Sequence, residues 1–468
     1  MQLSYDNLTD CLKPCLLYMG MFPEDAIISV SKLISLWIAE GFVQNIESGR
    51  LMEETVEGYL MDLIQSSVVM VFMREHSGKV KYCQVHDVVL HFCLQKSRKE
   101  KFMLSVKGNR SQFEPCDWNE SRVSFILSEE LFKSAIPGSK TLKPFAQHLR
   151  TLITIKDGES IFGIPFFQIH KLRLVKVLDL SSHEVHYLSS ALLKPLNHLK
   201  YLAVSTREFY FHPQSHLSHL ETLIIKNDRR NTVLLQASFW ETEKLRHVDI
   251  RTAEFDLEED NQRISCKLEN LRILKNITRF PIEQVKYDDS ANSYGLTLEN
   301  FTQLQILRLS FKWHYIDIVS RLQLPSNIKK LVLGGTPTEN MFPFTAGLSS
   351  LEYLQLKDVY STQSKEWCLG DLTFPNLKFL KLSVLGISRL DASEESFPRL
   401  ETLVIRNCNR LEEIPLSFED ILTLKQIKLI DCNNESLEAS AVRIKEDVEE
   451  NEGNNRIELI IKRRWERI

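Results

Sequence analysis

Hydrophobic residues follow two different patterns along this chain. From Leu149 onward one short motif recurs: an apolar residue, two others, an apolar residue, one other, and a third apolar residue. Leu400-Glu-Thr-Leu403-Val-Ile405-Arg-Asn-Cys408-Asn-Arg-Leu411 shows it most fully. The alternation at its centre predicts a short strand, with Leu403 and Ile405 inward and Thr402, Val404 and Arg406 outward. Residues 1–100 carry no such repeat, and their apolar positions follow mainly helical spacing.

The repeated cores begin at Leu149, Val175, Leu199, Leu220, Leu245, Leu271, Leu304, Ile328, Leu351, Leu377, Leu400 and Leu424, in steps of 21 to 33 residues. That form and period are those of leucine-rich repeats. One unit cannot bury its own apolar edge, so each needs neighbours stacked on both sides. The expected fold class is α/β, a curved leucine-rich-repeat solenoid (horseshoe) with strands lining the concave side and a small winged-helix domain ahead of it. The longest step, from Leu271 to Leu304, contains Tyr287–Gly295, an expected inserted loop. At the end, helix 436–450, a turn at Asn451–Asn455 and strand 456–462 should cap the open core edge.

In the first hundred residues, Asn7–Tyr18 begins an apolar helical region that Phe22-Pro-Glu-Asp25 interrupts. Ser29–Glu40 reads as an amphipathic helix with Leu33, Leu36 and Trp37 on one face and Gly41 at its end. A helix over 52–66, a hairpin of Val68–Arg74 with Val80–Val85, and a helix over His86–Lys96 complete a winged-helix plan. As a DNA reader this domain would want a basic recognition helix, and Val30–Glu40 offers only Lys32, so nucleic acid is not an expected partner. The expected domains are 1–100 (winged helix), 101–148 (linker and first repeat cap, with strands near Phe102–Val106 and Asn119–Ile126), 149–435 (repeats) and 436–468 (C-terminal cap).

Composition narrows the setting. The 468 residues are 43% hydrophobic and 26% charged, with a net charge of −4, so no global field draws the chain to nucleic acid. Nine unpatterned cysteines suit a reducing compartment. Met1-Gln-Leu-Ser-Tyr-Asp is no signal peptide, and no run has the length of a membrane span. A cytoplasmic location is expected, with peripheral membrane contact through a partner left open.

Three segments carry a family resemblance: Leu3-Ser-Tyr-Asp-Asn-Leu8, Cys11-Leu-Lys-Pro-Cys-Leu-Leu-Tyr-Met-Gly-Met-Phe-Pro-Glu-Asp25, and Leu33-Ile-Ser-Leu-Trp-Ile-Ala-Glu-Gly-Phe42. They resemble plant intracellular immune receptors of the coiled-coil, nucleotide-binding, leucine-rich-repeat type. Gln84-Val85-His86-Asp87 looks like that family's Met-His-Asp motif, with Val85 where the family has Met. Asp87–Cys93 and Val177-Leu-Asp-Leu-Ser-Ser182 look most like the late blight resistance proteins of nightshades. The resemblance implies the C-terminal part of a disease-resistance receptor. Its repeats would recognise a pathogen effector or a guarded host protein, restrain the family's own nucleotide-binding module, and on release permit defence signalling and the hypersensitive response. It also implies that His86, with Asp87 beside it, reaches the phosphates of ADP, or of ATP after exchange, in an intact receptor. This chain alone is expected to hold no cofactor, and its two motif residues would then only cap the following helix. Gly138-Ser-Lys-Thr141 lacks the glycines of a phosphate loop, which argues against a stand-alone ATPase. The alternative, a ubiquitin-ligase substrate adaptor, would need an F-box that residues 1–60 do not resemble.

Little here suggests catalysis or metal. Cys83, His86, His91 and Cys93 are close in sequence, as are His212, His216 and His219, but neither set has the spacing of a zinc site. No nucleophile–base arrangement stands out, so no enzyme is expected. The outward strand positions are more telling: Asp179, Lys226, Asp249, Arg251, Lys275, Arg308, Lys330, Lys357, Lys381, Arg406 and Lys428 carry nine positive charges against two negative. From Lys275 onward every one is positive. Like charges on strands about 5 Å apart repel, so Lys275, Arg308, Lys330, Lys357, Lys381, Arg406 and Lys428 are the expected contact for an acidic partner. A solvated ladder that merely keeps the strands soluble is the plainer reading.

Overall fold

The computed structural model of the chain describes residues 1–43, 51–75, 78–107, 120–127, 148–156, 172–210, 217–227, 232–235, 239, 242–255, 268–279, 301–310, 324–335, 345–359 and 366–463. Gly138–Thr141, His212, His216 and the Tyr287–Gly295 segment lie outside them. Two compact units divide the chain: Met1–Thr252 with Glu259–Leu268, and Ala253–Glu258 with Glu269–Ile468.

The first unit opens with the winged helix. Helices α1 (Gln2–Asp6), α2 (Leu12–Tyr18), α3 (Val30–Glu40), α4 (Met52–Gln65) and α5 (Asp87–Glu100) surround a small antiparallel sheet of β1 (Ile28–Ser29), β3 (Val80–Gln84) and β2 (Met70–Arg74). Gly41, at φ 83°, ends α3 in the left-handed conformation that favours glycine. Leu16, Leu33, Leu36, Trp37, Leu60 and Leu63 are fully buried, as the 3.6-residue period requires. Cys83 and Cys93 join this core.

A parallel stack follows in the same unit: β4 (Leu104–Lys107), β5 (Arg122–Leu127), β6 (Thr151–Lys156), β7 (Val177–Ser189), β8 (Tyr201–Tyr210), β9 (Thr222–Asn227) and β11 (His247–Phe255, in this unit up to Thr252), with short β10 (Val233–Leu235) beside β11. The first two strands precede Leu149, so the stack begins with β4. Parallel neighbours one repeat apart are what leucine-rich repeats require.

The second unit repeats this plan: β12 (Ile273–Arg279), β13 (Ile306–Ser310), β14 (Lys330–Gly334), β15 (Tyr353–Val359), β17 (Phe379–Leu385), β19 (Thr402–Arg406), β20 (Gln426–Ile430) and β21 (Glu458–Lys462), all in parallel register. Short strands β16 (Glu366–Cys368) and β18 (Arg389–Asp391) pair on their own. Leu403 and Ile405 are fully buried, and so are their partners Leu380, Leu382 and Ile427. Helix α6 (Glu435–Glu452) closes the unit, capped by the Asn434 side chain at one end and by left-handed Gly453 at the other. The Arg456 guanidinium then ties β21 down by donating to the Glu419 and Leu424 carbonyls at 3.1 and 3.3 Å. Just before the strands, Lys378 meets Glu352 at 3.2 Å and Lys425 meets Glu401 at 3.0 Å, an ion-pair ladder.

Candidate functional site

The winged helix is seated on the outward face of the first repeats, within the first unit. Alternation points Ile153, Val177, Tyr201 and Ala203 away from the repeat core, yet all four are buried and share one apolar cluster with α2, α3 and α4. What covers them is α3, which lies against β7 and β8.

Charged side chains fix the seat. The Lys32 ammonium, from the outer side of α3, lies 2.5 Å from the Asp179 carboxylate, whose side chain is 1% exposed. Desolvation alone would raise the Asp179 pKa, but the Lys32 charge and its hydrogen bond, with two more from Ser181, hold it below the usual carboxylate range. The Ser181 amide and hydroxyl donate to the same oxygen at 3.0 and 2.7 Å. At the far end of α3, Glu40 accepts from Arg122 Nε at 2.9 Å and from the Thr151 hydroxyl. Arg122 is itself stacked over Phe102, 4.5 Å from the ring centre. At the rim, Arg246 grips Glu53 of α4 with two bonds of 2.8 and 2.6 Å, and Ser35 lies 3.4 Å from His247 Nδ1.

The seat is imperfectly satisfied. The Tyr18 hydroxyl, the Tyr201 hydroxyl and Trp37 Nε1 are buried without hydrogen-bond partners. Burial pushes both phenols well above their usual pKa range, so they stay neutral. Each orphaned donor costs about 1–3 kcal/mol. Buried ion pairs combined with unsatisfied donors make a specific contact that is weaker than an apolar core of equal area.

His86 stands exposed at the start of α5, where Nδ1 accepts from the Val88 amide at 3.3 Å, and Asp87 opens the helix beside it. The neighbouring zinc-like residues turn elsewhere. Cys83 and Cys93 are buried, with thiols pushed up to about 12 by desolvation, and Cys93 donates to the Leu16 carbonyl. His91 pairs with Gln95 at 2.9 Å. Among the described residues no three potential ligands converge on one point.

The basic positions of the second unit fall in three rows rather than one. Lys275, Arg308, Lys381 and Lys428 share the middle row, interrupted by Val332, Gln355 and Val404. Lys330 begins its strand, in a row with Tyr353 and Phe379, while Lys357 and Arg406 stand in a third with Ser310 and Gly334. Within the middle row only Lys275 and Arg308 are adjacent cations, so simple repulsion along a row is smaller than the spacing alone predicts. Lys330 rests 4.5 Å over the Tyr353 ring, which stacks on Phe379 at 4.6 Å. Val404, outward by alternation, is nevertheless 1% exposed between Lys381 and Lys428.

Residues 21–93 match the family model of the disease resistance protein winged helix domain. Over 98% of its length the chain is 33% identical to the late blight resistance protein homolog R1B-16 of Solanum demissum, and 31% identical to the late blight resistance protein R1-A of the same plant. The chain is thus similar over nearly its whole length to late blight resistance proteins. It spans 36% and 37% of those two relatives' own lengths. Among solved structures, an internalin of Listeria monocytogenes aligns over 62% of the chain at 14% identity, with a TM-score of 0.38. The leucine-rich-repeat ectodomain of the Arabidopsis thaliana receptor kinase GASSHO1/SCHENGEN3 aligns over 71% at 16% identity and a TM-score of 0.35. Among the described residues no helix is long and apolar enough to cross a membrane.

The sequence pointed to His86, Asp87 and the basic positions, but not to the seat of α3. In the sequence Lys32 is a lone cation on its helix, and Asp179 is one of two acids on a basic face. A usable signal was present: Ile153, Val177 and Tyr201 are apolar at positions that alternation turns outward.

Proposed function

We propose that this chain acts by binding, without a catalytic step, as the winged-helix and recognition part of a plant disease-resistance receptor. The observation that carries this reading is the buried contact of α3 with the strand face, centred on Lys32 and Asp179. In this reading the first repeats restrain the winged helix, and capture of a pathogen effector or a guarded host protein on the later repeats relieves the restraint. The receptor works in the cytoplasm. His86 is exposed at a helix N-terminus, a setting that suits an anionic group, so with Asp87 beside it the imidazole contacts the phosphate of ADP when a nucleotide-binding module is joined to the chain. Nothing in the comparisons favours a ubiquitin-ligase adaptor.

The restraint is testable in a chimaera that joins this chain to the remaining part of a Solanum demissum relative, expressed in leaf tissue. Lys32→Met should give cell death without any pathogen protein, while the unmutated chimaera stays silent. A Lys32→Met chimaera that accumulates normally, stays silent and still responds to the relative's elicitor would refute the restraint.

A further inference from the structure

We infer that Arg308 and Lys357 form a two-point clamp for a carboxylate presented by an acidic segment of a protein partner. This rests on the reading of the later repeats as the recognition face, and names the subsite within it.

The clamp depends on a glycine. Gly334 of β14 lies in one row between Ser310 of β13 and Lys357 of β15. A Cβ there would stand 2.8 Å from Lys357 Cε, 3.1 Å from its Cγ and 3.4 Å from the Ser310 hydroxyl. Because Gly334 has no side chain, the Lys357 stem can lie over β14, the strand between its own and β13. Arg308 is there. Desolvation and the nearby Arg308 guanidinium both lower the Lys357 pKa. Two cations held close across an intervening strand are a costly arrangement unless an anion joins them.

Among the described residues the only carboxylate near the pair is a weak one. The nearest carboxylate recorded for Lys357 is Asp358, at 3.9 Å and 52% exposed. Arg308 Nε is buried and without a hydrogen-bond partner, and among the described residues no carboxylate is paired with Arg308. Elsewhere on the face Lys330 lies over the Tyr353 ring, and Arg406 is 3.8 Å from the Asp431 carboxylate, whose side chain is only 16% exposed.

Arg308 also holds the position in its repeat that Asp179 holds in its own, between the last two leucines of the core. At Asp179 the opposite charge arrives from a docked helix, as Lys32. The same logic with the signs reversed brings an aspartate or glutamate to Arg308. The planar guanidinium can take one carboxylate with two bonds, Lys357 adds a point charge, and Ser310 a third donor.

The test uses the full chain and a fluorescein-labelled oligoglutamate peptide, read by anisotropy at low salt. Arg308→Gln and Lys357→Gln should each weaken binding about tenfold and the pair less than additively, whereas Lys425→Gln, which removes the same charge from the flanking ladder, should change it less than about twofold. Gly334→Ala removes no charge but displaces Lys357, and should weaken binding as Lys357→Gln does. Should Gly334→Ala fail to fold by circular dichroism, Arg308→Lys serves instead, since it keeps the charge and loses the fork. If Lys425→Gln costs as much as Arg308→Gln while the charge-neutral variants bind like wild type, the clamp is overturned and a diffuse basic face remains. If the unmutated chain does not bind the peptide at all, the clamp and the acidic-partner reading fall together.

Discussion

Replacing Lys32 with methionine isolates the ion pair that seats α3. The stem keeps most of its packing, but the ammonium 2.5 Å from Asp179 is gone. Asp179 then remains buried with only the two Ser181 bonds. Stripping one partner from a buried pair costs about 3–5 kcal/mol, and the surviving bonds put this case at the lower end, about 3 kcal/mol. Adding Asp179→Asn removes the stranded charge while keeping an acceptor for Ser181, so the double variant should recover most of the loss. Denaturant unfolding measures the sizes, and hydrogen exchange at α3 and β7 shows whether the loss is local undocking or global unfolding. The pH dependence has a definite sign. The folded pKa of Asp179 is depressed, so its contribution is fully present above the ordinary carboxylate value of 3.8 and is lost as pH falls through the lower folded value. Wild type should therefore lose stability below that point more steeply than the double variant. Equal stability of Lys32→Met and wild type, or a double variant no better than the single, would refute the assignment of Lys32 and Asp179 as the seat.

Tyr201→Phe should leave stability unchanged or raise it by about 1 kcal/mol, because it deletes a buried hydroxyl that has no partner; a loss in chemical denaturation would show that the hydroxyl is satisfied. His86→Ala should lower stability by about 1 kcal/mol through the lost bond to the Val88 amide, with exchange rising first at the start of α5; unaltered exchange there would remove His86 as the cap. Leu403→Asp places a carboxylate at a fully buried position and should cost several kcal/mol, unfolding the neighbouring repeats with it; a wild-type melting curve would disprove the repeat register.

Local periodicity made much of this fold legible. The two-residue period placed Leu403 and Ile405 inward, and the helical period placed Leu33, Leu36 and Trp37 in the winged-helix core. The caps are local as well: a histidine ahead of α5, and Asn434 and Gly453 around α6. What stayed hidden joins residues far apart in the chain. Lys32 and Asp179 are separated by more than a hundred positions, and neither residue's neighbours announce the other. Gly334 carries no signal of its own in the sequence, and only the register of three strands sets it between Ser310 and Lys357. The outward cations are visible in the sequence, but their division among three rows depends on the register of neighbouring strands.

The polarity of the outward strand positions separates the two uses of the repeat face. An exposed strand row is kept soluble by polar and charged side chains. In the first unit two outward rows instead hold Ile153 and Ala203, and Val177 and Tyr201, which would form an apolar patch if bare, and α3 lies on it. Asp179, in the midst of that patch, could be buried only because Lys32 arrives with the covering helix. In the second unit the apolar outward residues are interleaved with long basic ones: Val332 stands beside Arg308, and Val404 between Lys381 and Lys428. A stem of three or four methylenes can shade a valine while its charge stays in water. That arrangement suits a surface that meets solvent now and an acidic partner later. One repeat motif thus supports an internal seat where its outward residues are apolar and, in the function proposed above, an external contact where they are cationic. The change of use is written in the non-leucine positions, which the repeat consensus leaves free.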